Sequence, residues 1–392
     1  MAQVRKENIA ATLGKVSSRL ESLDILRGFD MFFIMCMDPV PCIFYALGKA
    51  LGHEHHWLTQ QFEHVPWIGF HFYDLIFPLF LFIAGVTWPY SLAKKRERGV
   101  ATNAIVWGCV RRGLTLFALG CFIEALGPGG DRNILQFDWP NFRLWSVIGR
   151  IGLTWAAAAV IYLFCSRKVR IWNVVGILLF WWAFTRFGVA PDAPDGWNPL
   201  LTGKHMLANW IDAHYLTPAH RGEGAVAMIP MVATALFGMF AGEWLRRTDI
   251  DGSRKAALLS AWGIVGIAGA LVLAFAFGGL SCPIVKNCWS SSFALLAGGL
   301  SAVLLALFYW IVDVKGWRRW GFFFKVIGAN SILGYFMART ILPYDHIERL
   351  FFGGILPHMP PLWGAFVAEM GVMAFYWLVL LFFYKKEIYL RA

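Results

Sequence analysis

Charge is what this sequence has little of. Asp, Glu, Lys and Arg make up 15% of its 392 residues, where soluble domains carry roughly 25%. With 58% hydrophobic residues beside so few charges, an ordinary water-soluble globular domain is excluded. Several other features are missing too. No polar tract is long enough for a separate soluble domain, and no internal repeat is obvious. Residues 1–20 are polar and the first apolar run lacks a small-residue cleavage site, so no cleavable signal peptide is expected. The seven cysteines show no metal-ligand spacing. Cys36, Cys42, Cys109, Cys121 and Cys165 lie in or beside apolar runs, whereas Cys282 and Cys288 share one loop and would pair only in an oxidising compartment. Acidic residues are the scarcer sign, 24 against 35 basic ones, for a net charge of +11. The basic residues fall in short clusters between apolar runs, not along one patch. That placement speaks for membrane topology and against a nucleic-acid partner.

What the sequence does have is apolar runs of membrane-spanning length. About 20 helical residues cross a hydrocarbon core, and such runs predict helices near 24–46, 68–92, 103–126, 143–164, 171–189, 225–245, 257–277, 292–312, 321–341 and 361–384. The expected fold is therefore all-α and polytopic, with about ten transmembrane helices. Residues 1–22 read as a cytoplasmic segment and residues 23–388 as one transmembrane domain. Thirty-four Phe and 20 Trp suit a lipid-facing surface with aromatic belts. Alternate connections differ in charge: one set carries 21 Lys and Arg, the other six. The basic set, which includes both ends of the chain, is assigned to the cytoplasm. The opposite connections, near 47–67, 127–142, 190–224, 278–291 and 342–360, are longer and rich in His, Trp, Pro and Asn.

Charges inside apolar runs are costly and mark polar cavities or partners. Arg143, Arg186, Lys325 and Arg339 stand near predicted helix ends, where long side chains snorkel. Arg27, Arg111 and Arg112 lie toward the cytoplasmic ends of the first and third helices. Three guanidinium groups there suit an anionic ligand such as phosphate; pairing with Asp24, Asp30 or lipid headgroups is the alternative. On the first helix, Asp38 should lie about 21 Å beyond Asp24, in the external half. Asp74 falls two turns below the external start of the second helix, with His64 and His71 close by in sequence. These four are candidates for one external pocket, and a His with a carboxylate neighbour suits a general base. The Gly52–His56 run of histidines looks metal-like. Its spacing does not match a helical zinc pair, so it reads as a solvated loop and no metal is expected. Two functions fit this pattern: a transmembrane transferase with a cytosolic phosphate-bearing donor, or a transporter whose midplane charges bind substrate or protons.

A series of motifs adds a resemblance. Ser22-Leu23-Asp24-Ile25-Leu26-Arg27-Gly28-Phe29-Asp30-Met31 resembles the opening signature of the heparan-α-glucosaminide N-acetyltransferase family. It is followed in order by His64-x-x-Trp67-x-Gly69, Asp74-Leu75-x-Phe77-Pro78-x-Phe80, Asn209-Trp210-Ile211-Asp212 and Glu223-Gly224. Then come Pro283-x-x-Lys286-x-x-Trp289-Ser290-x-Ser292, Asp313-Val314-Lys315-Gly316, Asn330-Ser331-Ile332-Leu333 and a terminal Tyr-Lys-Lys. The order is collinear over roughly residues 20–388. The resemblance implies a transmembrane acetyltransferase that takes acetyl-CoA as co-substrate from the cytosol. The acceptor it implies is a terminal amino sugar of a glycan on the other side. The family's essential histidine falls on His64 and its helix-2 aspartate on Asp74. On this footing His64 is the expected base, oriented by Asp74 or Asp38. The oxyanion would be met by Lys286, Asn330 or Ser331, the Glu223 box would face the substrate, and Arg27, Arg111 and Arg112 would hold the CoA phosphates. A covalent acetyl-histidine is the competing mechanism, and O-acetylation of a surface polysaccharide is a competing outcome. Asp38 stands where animal members have Asn, and Arg221-Gly222 where Asp-Pro is usual; both departures bear on the acceptor. The large N-terminal domain of the animal enzymes has no counterpart, so the resemblance points to a bacterial, inner-membrane form. Family members tend to be homodimers.

Overall fold

The computed structural model describes residues 20–37, 52, 57–127, 139–194, 196–216, 223–342 and 344–390. Among them lie helices and connecting turns but no β-strand, only isolated bridges such as Ile68 to Val285. The long helices are α1 (Glu21–Met37), α2 (Ile76–Val86) and α3 (Trp88–Glu97), then α4 (Thr102–Leu126), α5 (Val147–Phe164) and α6 (Arg167–Phe187). They continue as α7 (Met228–Leu245), α8 (Gly252–Phe275), α9 (Ser291–Tyr309), α10 (Phe322–Ala329) and α11 (Ser331–Phe336). A short α12 (Tyr344–Phe352) leads to α13 (Pro361–Lys385). This is an all-α polytopic membrane architecture. Seven single spans among the described residues are long and apolar enough to cross a membrane, or eight if the bent pair α10–α11 counts as one. Ten is therefore not reached by that measure. Helix α6 is not among the seven, and α1 is described over only 17 residues. Asp38 and the rest of the first predicted helix lie outside the described residues.

Lipid tails are as apolar as leucine, so helices in a membrane associate through close backbone packing at small residues. Two helix pairs show this, the first of them carrying the site. A methyl group on Gly85 of α2 would stand 2.0 Å from the Ala235 carbonyl of α7, and one on Gly238 of α7 would stand 1.9 Å from the Phe82 carbonyl of α2. A methyl on Gly28 of α1 would meet the Phe324 carbonyl of α10 at 1.7 Å. Any side chain at these positions would force the helices apart.

The span predicted at 321–341 is not straight. It breaks at Asn330, and its halves, Arg319–Ala329 and Ser331–Ile341, bend by 68°. The Asn330 amide spans the break to the tail, its Nδ2 donating to the Ile388 carbonyl at 2.9 Å and its Oδ1 accepting from the Leu390 N–H at 3.0 Å.

The basic connections gather at one end of the bundle and are tied by ion pairs. Glu21 at the start of α1 meets Lys325 of α10 at 2.6 Å and Arg318 at 3.3 Å. Glu97 of α3 meets Arg246 at 2.5 Å, and Arg170 of α6 meets Glu243 of α7 at 2.5 Å. The Asp313 carboxylate accepts the Glu21 and Ser22 N–H groups, each at 3.3 Å. Those are unpaired donors at a helix start, so the Asp313 box and the Ser22 signature, far apart in sequence, form one capped joint.

Candidate active site

At the opposite end, three connecting segments converge. The first, 61–75, runs into α2 through the 3₁₀ turn Phe72–Leu75. The second, 282–290, precedes α9. The Gly69 N–H donates to the Ile284 carbonyl at 2.9 Å, and the Val285 N–H donates to Ser290 Oγ at 3.0 Å. Trp289 takes the left-handed conformation at φ 52° while its indole N–H reaches Thr234 Oγ1 at 3.1 Å. Only a fixed hydrogen bond and a full pocket hold so bulky a side chain in that region. The third segment is Glu223–Val226. The Asp212 carboxylate accepts the Ala225 and Val226 N–H groups at 2.8 and 3.2 Å. Gly224 packs so tightly on that carboxylate that a methyl group would stand 1.9 Å from it.

His64, Asp74, Lys286 and Glu223 meet where these segments join. His64 Nδ1 lies 2.8 Å from Asp74 Oδ1, and the imidazole stacks on Tyr73 with ring centres 4.5 Å apart. Asp74 is fully buried, and its other oxygen accepts the His71 N–H at 3.0 Å and the Val65 N–H at 3.5 Å. An ionised carboxylate only accepts hydrogen bonds, so Nδ1–H is the donor of this contact and, in a neutral ring, Nε2 keeps its lone pair. The histidine side chain is 49% exposed, so that lone pair belongs to a ring open to the outer surface. Lys286 Nζ lies 3.0 Å from both ring nitrogens, 3.6 Å from Asp74 Oδ1 and 3.8 Å from Glu223 Oε1. The two lone-pair directions of an imidazole diverge, so an equidistant ammonium is aligned with neither. His71 is placed differently from His64: its ring bonds the Glu63 carbonyl and only its backbone serves Asp74.

Behind this group stands Arg150 of α5, fully buried. Its Nη1 donates to Glu223 Oε2 at 2.9 Å and to the Glu223 carbonyl at 2.8 Å, and its guanidinium lies 5.1 Å from the Phe77 ring centre. Burial would by itself raise the Glu223 pKa, but Arg150 and Lys286 outweigh it and hold the carboxyl at about 2. Burial pushes the Lys286 ammonium below its usual range, with Glu223 and Asp74 opposing. The sequence singled out Lys286 and Glu223 but gave Arg150 no role. The available signal was its cost: an arginine inside an apolar helix needs a partner.

The remaining candidates sit elsewhere. Arg27 pairs with Asp24 on its own helix at 3.3 Å. Arg111 and Arg112 are exposed on α4, where Arg112 lies over Trp155 at 4.9 Å. Helix α1 packs chiefly on α10 and α4 on α5, and nothing in these contacts gathers the three guanidinium groups into one anion site. Asn330 spends its amide on the tail, and Ser331 Oγ reaches the Gly328 carbonyl at 3.5 Å, so both act at the helix break. Asp38, Arg221, Gly222 and His53–His56 lie outside the described residues. Cys282 and Cys288 are buried free thiols, and burial pushes both thiol pKa values up. The described residues hold no cluster of three or more His, Cys, Asp or Glu able to bind a metal ion.

No protein-family model matches the chain. Over 372 residues it is 25% identical to the heparan-alpha-glucosaminide N-acetyltransferase of Mus musculus, covering 81% of this chain and 53% of that one. Against the Homo sapiens enzyme of the same name it is 24% identical over 376 residues, covering 82% and 53%. The chain is a relative of this family. It spans about half the length of the heparan-alpha-glucosaminide N-acetyltransferases it matches.

Proposed function

We propose that this protein is a transmembrane acetyltransferase that passes an acetyl group from acetyl-CoA to an amine of the glucosaminide type on the face bearing His64. The observation that carries the reading is the 2.8 Å contact between His64 Nδ1 and the buried Asp74 carboxylate, on an imidazole open to the surface. An amine attacking a thioester carbonyl must lose a proton. In this reading the proton passes to His64 Nε2 while Asp74 supports the imidazolium through Nδ1–H. The carbon–sulfur bond breaks, and the departing thiolate takes the proton back from His64. An N-acetyl product and free CoA remain, and the histidine is restored.

Lys286 is the donor best placed to meet developing negative charge on the carbonyl oxygen, since Asn330 and Ser331 are engaged at the helix break. Glu223, locked by Arg150, anchors that ammonium. The phosphate-bearing end of the donor belongs at the basic end of the bundle, which the loop charges assign to the cytoplasm. The same Nε2 is also suited to attack the thioester itself and carry the acetyl group as an acetyl-imidazole. Initial-rate kinetics separate the two routes. Intersecting double-reciprocal lines support direct transfer; parallel lines with an acetylated His64 recovered from donor alone would replace it. Purified protein is expected to transfer label from acetyl-CoA to glucosamine and not to N-acetylglucosamine. Uptake of labelled amino sugar into proteoliposomes without CoA, with no transfer, would sink the enzyme reading in favour of a transporter.

A further inference from the structure

At the basic end, α3 and α5 leave a groove of about 280 Å³ between them. It is lined by Leu92, Ala93, Arg96 and Glu97 of α3 and by Tyr162 and Leu163 of α5. Leu92, Ala93 and Leu163 make one part of the lining apolar. Arg96 supplies the charge: its hydrogen bond among the described residues is a long one, 3.5 Å to the Leu163 carbonyl, and a guanidinium has five N–H donors. Glu97, the acid in the groove, already pairs with Arg246 and so does not repel an anion. Behind Tyr162 lies the Arg170 guanidinium, 5.0 Å from the ring centre. Segments 94–98, 167–170 and 246–249, the latter two tied to the groove through Arg170–Tyr162 and Arg246–Glu97, hold nine basic and two acidic residues. Outside it, α4, α5 and α6 expose Trp107, Phe164 and Trp172, the kind of surface that meets lipid.

We propose that this groove binds an anionic phospholipid from the leaflet at the basic end. The phosphate would sit on Arg96 and the first part of an acyl chain on Leu92, Ala93 and Leu163. Basic pockets between membrane helices on the cytoplasmic side are suited to anionic headgroups. A soluble phosphate would use Arg96 but gain nothing from the apolar lining, and a zwitterionic lipid would bring a second positive charge into a basic rim. The site stands apart from the His64 cluster, so it does not depend on the proposed reaction.

The test uses the full chain in nanodiscs of phosphatidylcholine with a graded fraction of phosphatidylglycerol, and counts retained phosphatidylglycerol by native mass spectrometry. The wild-type chain is expected to retain the anionic lipid selectively, and Arg96→Gln to weaken retention about fivefold, the worth of one basic group near a membrane. Leu163→Trp fills the groove with its charge intact, so it should weaken retention as well. This second variant keeps the test decisive if Arg96→Gln does not fold. Arg98→Gln, a basic neighbour outside the lining, should leave retention unchanged. Equal losses in Arg96→Gln and Arg98→Gln, or no loss in Leu163→Trp, would mean a diffuse basic surface and overturn the proposal. Displacement of the lipid by CoA or inorganic phosphate would overturn it too, assigning the groove to a soluble phosphate ligand.

Discussion

Replacing Asp74 by Asn changes one atom and should remove nearly all transfer activity. Asp74 accepts from His64 on one oxygen and from the His71 and Val65 backbone on the other. An asparagine keeps the shape, and its carbonyl oxygen can still serve the two backbone donors. Its amide nitrogen then faces His64 Nδ1 and donates to it. The proton of the neutral imidazole is forced to Nε2, the position that has to accept a proton from the amine. A histidine locked in the wrong tautomer costs a hydrolase about 10⁴ in kcat. The same logic here gives a fall of about 10³–10⁴, roughly 4–5.5 kcal/mol of transition-state stabilisation. The loss should fall on kcat with KM for acetyl-CoA nearly unchanged, because the contact lies away from the basic end. The assay is steady-state transfer of labelled acetyl to glucosamine, with CoA-induced thermal stabilisation as the control for an intact donor site. Asp74→Asn activity within tenfold of wild type would refute the orientation argument, whatever role His64 retains.

Other outcomes follow from the same contacts. His64→Ala should abolish transfer while CoA still stabilises the protein against heat; full activity in that variant would remove His64 as the base. Glu223 is held at about 2, below its ordinary 4.5, so its ionised form stabilises the fold above about pH 4.5 and that stability is lost as pH falls toward 2. Glu223→Gln should therefore be less stable at neutral pH and show a flatter acid limb in thermal unfolding; an acid limb unchanged from wild type would count against the pair. Arg150→Met strands a buried carboxylate and should cost about 3–5 kcal/mol in detergent unfolding, and adding Glu223→Gln should restore part of it. Strictly additive losses would show that the two side chains do not act as a pair. Asn330→Ala forfeits both bonds to the tail and should cost about 1–3 kcal/mol of stability. Its kcat should stay near wild type, and a loss of a hundredfold would return Asn330 to the list of oxyanion donors.

Much of the helical framework was legible because hydrocarbon thickness dictates run length, and the predicted spans at 103–126, 143–164 and 361–384 match α4, α5 and α13 within four residues. The break at Asn330 was not legible: the apolar run continues through it, and what stabilises the bend is a tail 58 to 60 residues later. The His64–Asp74 pair was within reach because ten residues separate them and the turn into α2 folds the chain back on itself. The Arg150–Glu223 pair spans 73 residues across two loops and leaves no local pattern. The collinear motifs mixed chemistry with architecture. Asp313 caps α1, Asp212 shapes the Glu223 turn, and Asn330 holds the tail, whereas His64, Asp74 and Lys286 meet in one cluster. A polar residue inside a membrane protein is costly to place whether it binds substrate or satisfies a backbone, so its presence in a motif does not separate the two roles.

The separation of the two polar ends constrains how the proposed reaction can work. Asp74 opens the helical stretch that reaches Glu97, 23 residues later, which at 1.5 Å per residue places them about 30 Å or more apart along the bundle. The phosphates of a CoA donor carry several charges, and each would cost kilocalories to bring through the apolar interior. An acetyl thioester at the end of a flexible neutral arm meets no such penalty. In the proposed reaction the donor would enter from the basic end with its thioester leading, its neutral arm being shorter than that separation, and the acceptor would come from the other face, so the two substrates would not share an entrance. In the proposed step the amine proton returns to the departing thiolate, so His64 would hold it only in passing, and its half-exposed ring would let the amine reach Nε2 from the acceptor side. The Arg150–Glu223–Lys286 group lies just inside that base, where the arm would end. Its charges are fixed by one another, so the thioester would meet a positively charged donor already in place when the amine arrives.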